Sequence, residues 1–397
     1  MHQPKEIYFK NLFLCLFVSI LALIIYIAPN LYSNLARTTP SSFTPSYSTT
    51  PTGNPPASFS STATLTEKAQ TLEKAMATVK IVSTSSNSVI GIGSGVAIAD
   101  EGYLVTNYHV IHYIEDSPSS YNIKLDMLVN GELTYDIPAE LLWSNASLDV
   151  AILKSSQTFE VYANMANRSI DSTNPLKIAE QVWTLGTPFE TNLFGTFSLG
   201  TISSSRARAD ITSVNDSYYV HNYLIQHNAP IGSGSSGGGL FDMQGNLVGL
   251  NTCGKTSTST NQANHLYFAI PIYPVTVVLD KVIQGHKLND LYTTPLLGIK
   301  GYDKDYQMFG SSYTHDDDGV YISEIVKDGS AFKGGLAKSD VIIGIGDINS
   351  SFIDNDVWKI DRTYDLVYGL LKYKSGDSVA IFYENSEGTH KTIVELG

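Results

Sequence analysis

Between Val79 and about Thr260 the chain is written in short apolar runs, many of them β-branched. They read KIVSTS, SGVAIA, YLVTNYHVI, LDVAILK, QVWTLG, YLIQH and NLVGLNT, and Gly, Asn, Asp or Ser separates them. Runs this short are strand-length, and so many in succession predict an all-β barrel or sandwich. A short helix is expected just before them, over Glu67 to Thr78. Another is expected after them, where PVTVVLDKVIQG (Pro274 to Gly285) has apolar residues at helical spacing and a glycine at its end. A second compact unit runs from about Leu296 to Gly397, and no internal repeat of fixed period is apparent.

A chain of 397 residues suggests two or three domains. Hydrophobic residues at 43% and charged residues at 16% allow a folded core. The net charge of −13 argues against nucleic acid as a partner, because that needs a basic face. Only two cysteines occur, Cys15 and Cys253, so no disulfide framework or cysteine zinc site is expected. Leu12 to Ala28 is apolar apart from Ser19, and Asn11 to Tyr32 is long enough to span a bilayer, which takes roughly 20 residues. A cleaved signal peptide would need a small-x-small site, and Asn34-Leu35-Ala36 matches one poorly, so an uncleaved anchor is the better reading. Lys5 and Lys10 before the span put the N-terminus inside and the rest outside the cytoplasm. Arg37 to Thr64 is rich in Ser, Thr and Pro and has little to bury, so a disordered tether is expected.

The nine residues GSGSSGGGL (232–240) could be a flexible linker. A linker would not lead straight into two strands joined by a Gln-Gly turn, as LFDMQGNLVGLNT does. Gly234-Ser235-Ser236-Gly237-Gly238 is instead the G-x-S-G-G form. A nucleophilic serine needs a tight turn whose backbone N–H groups point at a developing oxyanion, and glycine supplies the angles. Thr106-Asn107-Tyr108-His109-Val110 and Ser147-Leu148-Asp149-Val150 supply a histidine and an aspartate in the order His, Asp, Ser. That is the order of chymotrypsin-like barrels. His112 is a rival for His109, but in a strand it would face the opposite way.

On the stretches GIGSGVAI (91–98), YLVTNYHVI (103–111), LDVAILK (148–154), WTLGTPFE (183–190), YLIQHNAPIGSGSSGGGL (223–240), NLVGLNT (246–252) and YFAIPI (267–272), the chain resembles the HtrA/Deg family of trypsin-like serine proteases. The resemblance implies a mainly β protein: a chymotrypsin-like double β-barrel followed by a PDZ domain, behind an N-terminal transmembrane helix. The parts are expected at 1–36 (cytoplasmic stub and anchor, span about 12–32), 37–64 (tether), 65–290 (protease) and 291–397 (PDZ). Ser236 matches the nucleophile, His109 the general base and Asp149 the residue that orients it. The backbone N–H groups of Gly234, Ser235 and Ser236 would line the oxyanion hole. Pro230, six residues before Ser236, matches the base of the S1 pocket, with Ile231 beside it. With no acid there, a small or medium apolar P1 residue is expected. Ser235, Gly239 and Asn228 depart from the family's usual Asn, Pro or Ala, and Asp. These departures suggest an oxyanion turn that rests inactive until something orders it.

Leu297-Gly298-Ile299 resembles the loop that receives a peptide's C-terminal carboxylate. The stretch GVYISEIVKDGSAFKGGLAKSDVIIGIGD (319–347) matches the body of the PDZ domain. Thr363 to Tyr373 would be the groove helix, and SSFIDNDVWKI (350–360) would be an enlarged segment able to occlude or extend the groove. The resemblance implies unfolded or specific protein substrates, C-terminal peptides at the PDZ groove and a homotrimer. It implies no cofactor, and His315-Asp316-Asp317-Asp318 lacks the spacing of a calcium loop. The expected activity is that of a membrane-anchored serine endopeptidase of extracytoplasmic quality control or stress signalling. The rival is a proteolytically weak or inactive chaperone or PDZ binding protein.

Overall fold

The computed structural model describes residues 56–168, 172–188, 193–212, 219–252, 267–302, 307–308, 311–312, 319–354 and 357–397. The strand-length runs close into two antiparallel barrels. The first is built from β1 (Met76–Ser83), β2 (Val89–Ala99), β3 (Tyr103–Thr106), β4 (Tyr121–Val129), β5 (Glu132–Asn145) and β6 (Val150–Ser155), in the order β1-β2-β3-β6-β5-β4. The second uses β7 (Gln181–Gly186), β8 (Thr196–Thr212), β9 (Tyr219–His227), β10 (Gly239–Asp242), β11 (Leu247–Thr252) and β12 (Tyr267–Pro271), in the order β10-β11-β12-β9-β8-β7. Closure leaves neither sheet a free edge. Barrel one carries a buried charge: Lys80, in β1, pairs with Asp126 at 2.6 Å and Asp136 at 2.7 Å, which offsets its desolvation.

Four local expectations change. The helix expected over Glu67 to Thr78 is α1 (Leu65–Glu73), opened by a capping box between Thr64 and Glu67. It stops early because Thr78, Val79, Ile81 and Val82 are drawn into β1, between β2 and β4. The run YLVTNYHVI is not one strand. It pairs as β3 only to Thr106 and then turns at Asn107 into α2 (Tyr108–Asp116), which buries Tyr108, Val110, Ile111 and His112. The C-terminal end of the expected tether is also packed. Ala57 is buried and its N–H donates to Tyr162 O at 2.8 Å, and Phe59 lies against Gly245.

Strand β12 leads directly into α3 (Tyr273–Leu288), longer at both ends than expected. Gly285 lies inside it, at a position where a Cβ would sit 2.5 Å from the Asp290 carbonyl oxygen; Asn289, left-handed at φ 55°, ends the helix instead.

The C-terminal region forms a separate sheet. It contains β13 (Ile299–Tyr302), β16 (Val320–Ile325), β17 (Val341–Gly346), β19 (Ser378–Asn385) and β20 (Gly388–Glu395) in the order β13-β16-β17-β19-β20. The short strand β18 (Trp358–Lys359) pairs with β17, and β14 (Gln307–Met308) pairs with β15 (Ser311–Ser312) apart from the main sheet. Helices α4 (Ser330–Lys333) and α5 (Thr363–Leu370) accompany it around a core that includes Val320, Ile322, Ile342, Ile381 and Val394. The α5 face bearing Tyr364 and Tyr368 joins the same apolar core as Val278 and Val282 of α3.

Among the described residues no helix is long and apolar enough to cross a membrane. The apolar segment 12–32, Cys253 and the His315–Asp318 acidic run lie outside the described residues.

Candidate active site

The G-x-S-G-G pentapeptide is a built turn packed between the barrels. Gly234 and Gly237 take φ of 91° and 84°, a left-handed region that suits glycine. At Gly237 a Cβ would stand 2.1 Å from Ser94 O and 2.3 Å from Thr106 Oγ1, so no side chain fits. The turn closes through Ser235 N–H to Gly232 O (3.0 Å) and Gly238 N–H to Ser235 O (2.9 Å). It is tied to β11 by Gly237 N–H to Asn251 O (2.9 Å) and Asn251 N–H to Gly238 O (2.8 Å). Ser94 N–H of β2 reaches across to Ser236 O at 2.7 Å. Ser235 and Ser236 are both buried.

His109 and Asp149 come from barrel one. Asp149 follows a short 3-10 turn capped by Asn145 and sits at φ 52°, a left-handed conformation that aspartate tolerates better than most residues. Its carboxylate receives the His109 backbone N–H at 2.9 Å, satisfying a donor at the start of α2. Its oxygens also meet His109 Nδ1 at 3.0 and 2.9 Å. An ionised carboxylate only accepts, so Nδ1 carries the proton and Nε2 is left as the basic nitrogen. Thr252 Oγ1 lies 3.5 Å from the second carboxylate oxygen, and Asn107 Nδ2 donates to the Asp149 carbonyl at 3.0 Å. Burial works against a charged His109. The charge and hydrogen bond of Asp149 together more than offset it, so the pKa ends above the ordinary imidazole value.

Ser236 lies near this pair across Gly93 of β2. A Cβ on Gly93 would meet both the Val110 side chain, beside His109, and the Ser236 carbonyl oxygen at 3.1 Å. His112 is one helical turn from His109, not on an opposite strand face. Its Nδ1 donates to the His109 carbonyl at 2.8 Å and its ring packs on Tyr113, so it is committed to the helix.

A cavity of about 220 Å³ opens beside the serine turn. Pro230 and Ile231 are among its lining residues, and Pro230 is exposed. The buried lining includes Thr184, Leu185, Ser235 and Asn251. Near Asn251, His227 is fully buried, and neither ring nitrogen completes a hydrogen bond. Burial pulls its pKa down to about 4, against weaker opposing effects of the Ala229 backbone and the Asn251 side chain. Sequence reasoning gave His227 no role, and nothing in the local pattern marks it as buried.

Residues 93–250 match the family described as "Trypsin-like peptidase domain". Over those residues the chain is similar to trypsin-like peptidases. The similarity extends to relatives named as serine endoproteases of the HtrA and Deg kind. The chain is 31% identical over 258 residues to the probable periplasmic serine endoprotease DegP-like of Rickettsia prowazekii, covering 65% of this chain and 45% of that protein. It is 27% identical over 315 residues to the serine protease Do-like HtrB of Bacillus subtilis, covering 72% and 63%. It is 29% identical over 255 residues to the serine endoprotease DegS of Haemophilus influenzae, covering 64% and 65%. The matches thus span between about half and two thirds of these relatives' length. Over most of the chain the fold matches solved structures. The HtrA-type protease AlgW with decapeptide aligns at a TM-score of 0.56 with 22% identity, covering 84% of this chain and 98% of that one. The serine endoprotease from Yersinia pestis aligns at 0.53 with 23% identity, covering 84% and 98%. The fold is mainly β, a chymotrypsin-like double barrel.

The remaining expected site residues lie in the C-terminal sheet. Leu297 is buried, Gly298 takes φ 71°, and Ile299 begins β13. The Leu297 and Gly298 carbonyls receive Ala331 N–H and Val326 N–H, both at 2.8 Å. The segment 350–360 ends in β18, whose Trp358 stacks on Tyr273 of α3 at 6.1 Å and donates Nε1–H to Asp365 O at 2.8 Å. Trp358 therefore packs toward α3, whereas Phe352 of the same segment packs on Phe382 of β19.

Proposed function

We propose that the chain is a serine endopeptidase acting through Ser236, His109 and Asp149. His109 Nε2 takes the Ser236 hydroxyl proton as Oγ attacks the scissile carbonyl, and later returns it to the leaving amine. Asp149 fixes the tautomer and stabilises the imidazolium. The N–H groups of Gly234 and Ser236 face the developing oxyanion, where one donor is worth about 10²–10³ in rate; the Ser235 N–H, expected beside them, is instead committed to Gly232 O at 3.0 Å. The observation that carries this reading is the paired contact of His109 Nδ1 and backbone N–H with the Asp149 carboxylate, beside a glycine-built serine turn. The 220 Å³ cavity beside Ser235 fits a small or medium P1 side chain.

The C-terminal sheet acts as a PDZ domain, with Leu297, Gly298 and Ile299 receiving a peptide's terminal carboxylate and the peptide adding as a strand. Peptide binding there regulates cleavage, and the contact of α5 with α3 gives a route for it. The substrates are unfolded or specific proteins. The enzyme is a homotrimer held in the inner membrane by its N-terminal segment, with its folded part on the periplasmic or equivalent side. The test is cleavage of an unfolded protein by the full chain and by Ser236→Ala, with and without a peptide of apolar C-terminus. Loss of cleavage in the variant supports the nucleophile. Cleavage that persists in Ser236→Ala removes it, and a rate indifferent to the peptide removes the PDZ switch.

A further inference from the structure

Ser94 lies in β2, distant in sequence from the nucleophile turn and fully buried. It makes four hydrogen bonds. Its N–H donates to Ser236 O at 2.7 Å, and its carbonyl accepts from Thr106 Oγ1 at 2.7 Å. Its Oγ accepts the Thr187 N–H at 2.8 Å and lies 2.8 Å from Gly234 O. A backbone N–H can only donate and a carbonyl can only accept, so the single hydroxyl proton is committed to Gly234 O. Thr187 in turn meets Thr78 of β1, their hydroxyls 2.9 Å apart in the interior. The donor that orients Ser94 is thus itself anchored between the two barrels.

We propose that the Ser94 hydroxyl is a positioning residue that holds the oxyanion turn in its working shape. The Gly234–Ser235 peptide is gripped at both ends: its carbonyl by Ser94 Oγ, its N–H by Gly232 O at 3.0 Å. Gly234 has no side chain to restrict its rotation, and Gly232 and Ser233 precede it in a flexible approach. Without the Ser94 hydroxyl this peptide keeps only the local bond to Gly232. The oxyanion donors then spend part of their time misaligned, and that cost falls on the transition state and not on ground-state binding. The inference rests on the serine-peptidase reading above and gives a role to a residue of the GIGSGVAI stretch that lies outside the triad and the serine turn.

The test is Ser94→Ala in the full chain. The expected result is kcat down by about 10- to 100-fold with KM within about 2-fold. Labelling of Ser236 by a fluorophosphonate, whose phosphoryl oxygen occupies the oxyanion site, slows in proportion. The pH midpoint of activity stays in place, because the His109–Asp149 pair is untouched. Amide hydrogen exchange at residues 234–238 quickens while β2 and β10 stay protected. A kcat within about 3-fold of the parent, a loss carried by KM, unchanged exchange in the turn, or loss of protection in β2 and β10 each overturns the proposal. If the parent neither cleaves nor labels while exchange in the turn responds to Ser94→Ala, the peptidase reading fails and the clamp stands.

Discussion

Replacing His227 with phenylalanine should make the fold less sensitive to acid. The imidazole is fully buried and neither nitrogen completes a hydrogen bond, so the folded state holds it neutral down to a pKa of about 4. In the unfolded chain it titrates near 6.5. Below that pH the unfolded state takes up a proton that the fold refuses, so stability is lost as pH falls from 6.5 to 4 and this loss levels off below 4. The gap, 6.5 − 4 = 2.5 units, corresponds to about 3 kcal/mol at about 1.4 kcal/mol per unit. Phenylalanine keeps a flat ring against Tyr267, whose ring centroid is 6.1 Å away, and has no proton to gain. His109 contributes with the opposite sign: its raised pKa favours the fold at low pH and loses that effect as pH rises through it. It is present in both proteins and cancels. Urea unfolding of parent and His227→Phe at pH 7, 6, 5 and 4 gives the difference directly. The variant should gain about 3 kcal/mol on the parent between pH 7 and 4. A gap constant to within about 0.5 kcal/mol would mean that His227 is solvated or partnered in the folded state, and the argument would fall.

Other outcomes rest on the same geometry. Activity should rise with pH through a midpoint above the ordinary imidazole value, because His109 must be neutral to act and Asp149 holds its proton on; a pH–rate profile of kcat/KM checks this. Asp149→Asn should cut kcat by about 10⁴ and lower that midpoint, measured in the same profile. Gly237→Ala should cost at least about 1–2 kcal/mol from its left-handed φ alone, with further loss from the contact at Ser94 O, and should abolish cleavage; urea unfolding and the cleavage assay measure the two effects. Trp358→Ala should destabilise the chain by about 1–3 kcal/mol by emptying the space between Tyr273 and α5, read by thermal unfolding.

What could be read in advance depended on whether the signal was local. G-x-S-G-G carries its geometry within five residues, because the glycines are there for the turn. The β-rich region was legible from run length, since a strand buried in a closed barrel advertises itself by apolar content. The helix at Tyr108 was not. Its apolar residues merge with those of β3 into one run, and only Asn107 marks the break. Nor was the end of α1: nothing in EKAMATVK says that Met76 onward pairs with β2 and β4. The roles of Ser94, Thr252 and Asn107 were illegible for a different reason. Each acts on a residue far away in the chain, so its meaning appears only when the barrels are brought together. His227 is the same case, a polar residue at the end of β9 placed between β8 and β12.

The proposed reactive groups are split between two cylinders. His109 and Asp149 belong to one and Ser236 to the other, and the bonds of Ser94 and Thr187 bridge them. Each cylinder is closed by its own hydrogen bonds and can survive a small slip against its neighbour. The chemistry cannot, because reacting atoms must meet within a fraction of an ångström. Warming should therefore silence such a molecule before it unravels: turnover should fade while the far-ultraviolet signal of its strands is still intact, and cooling should bring it back.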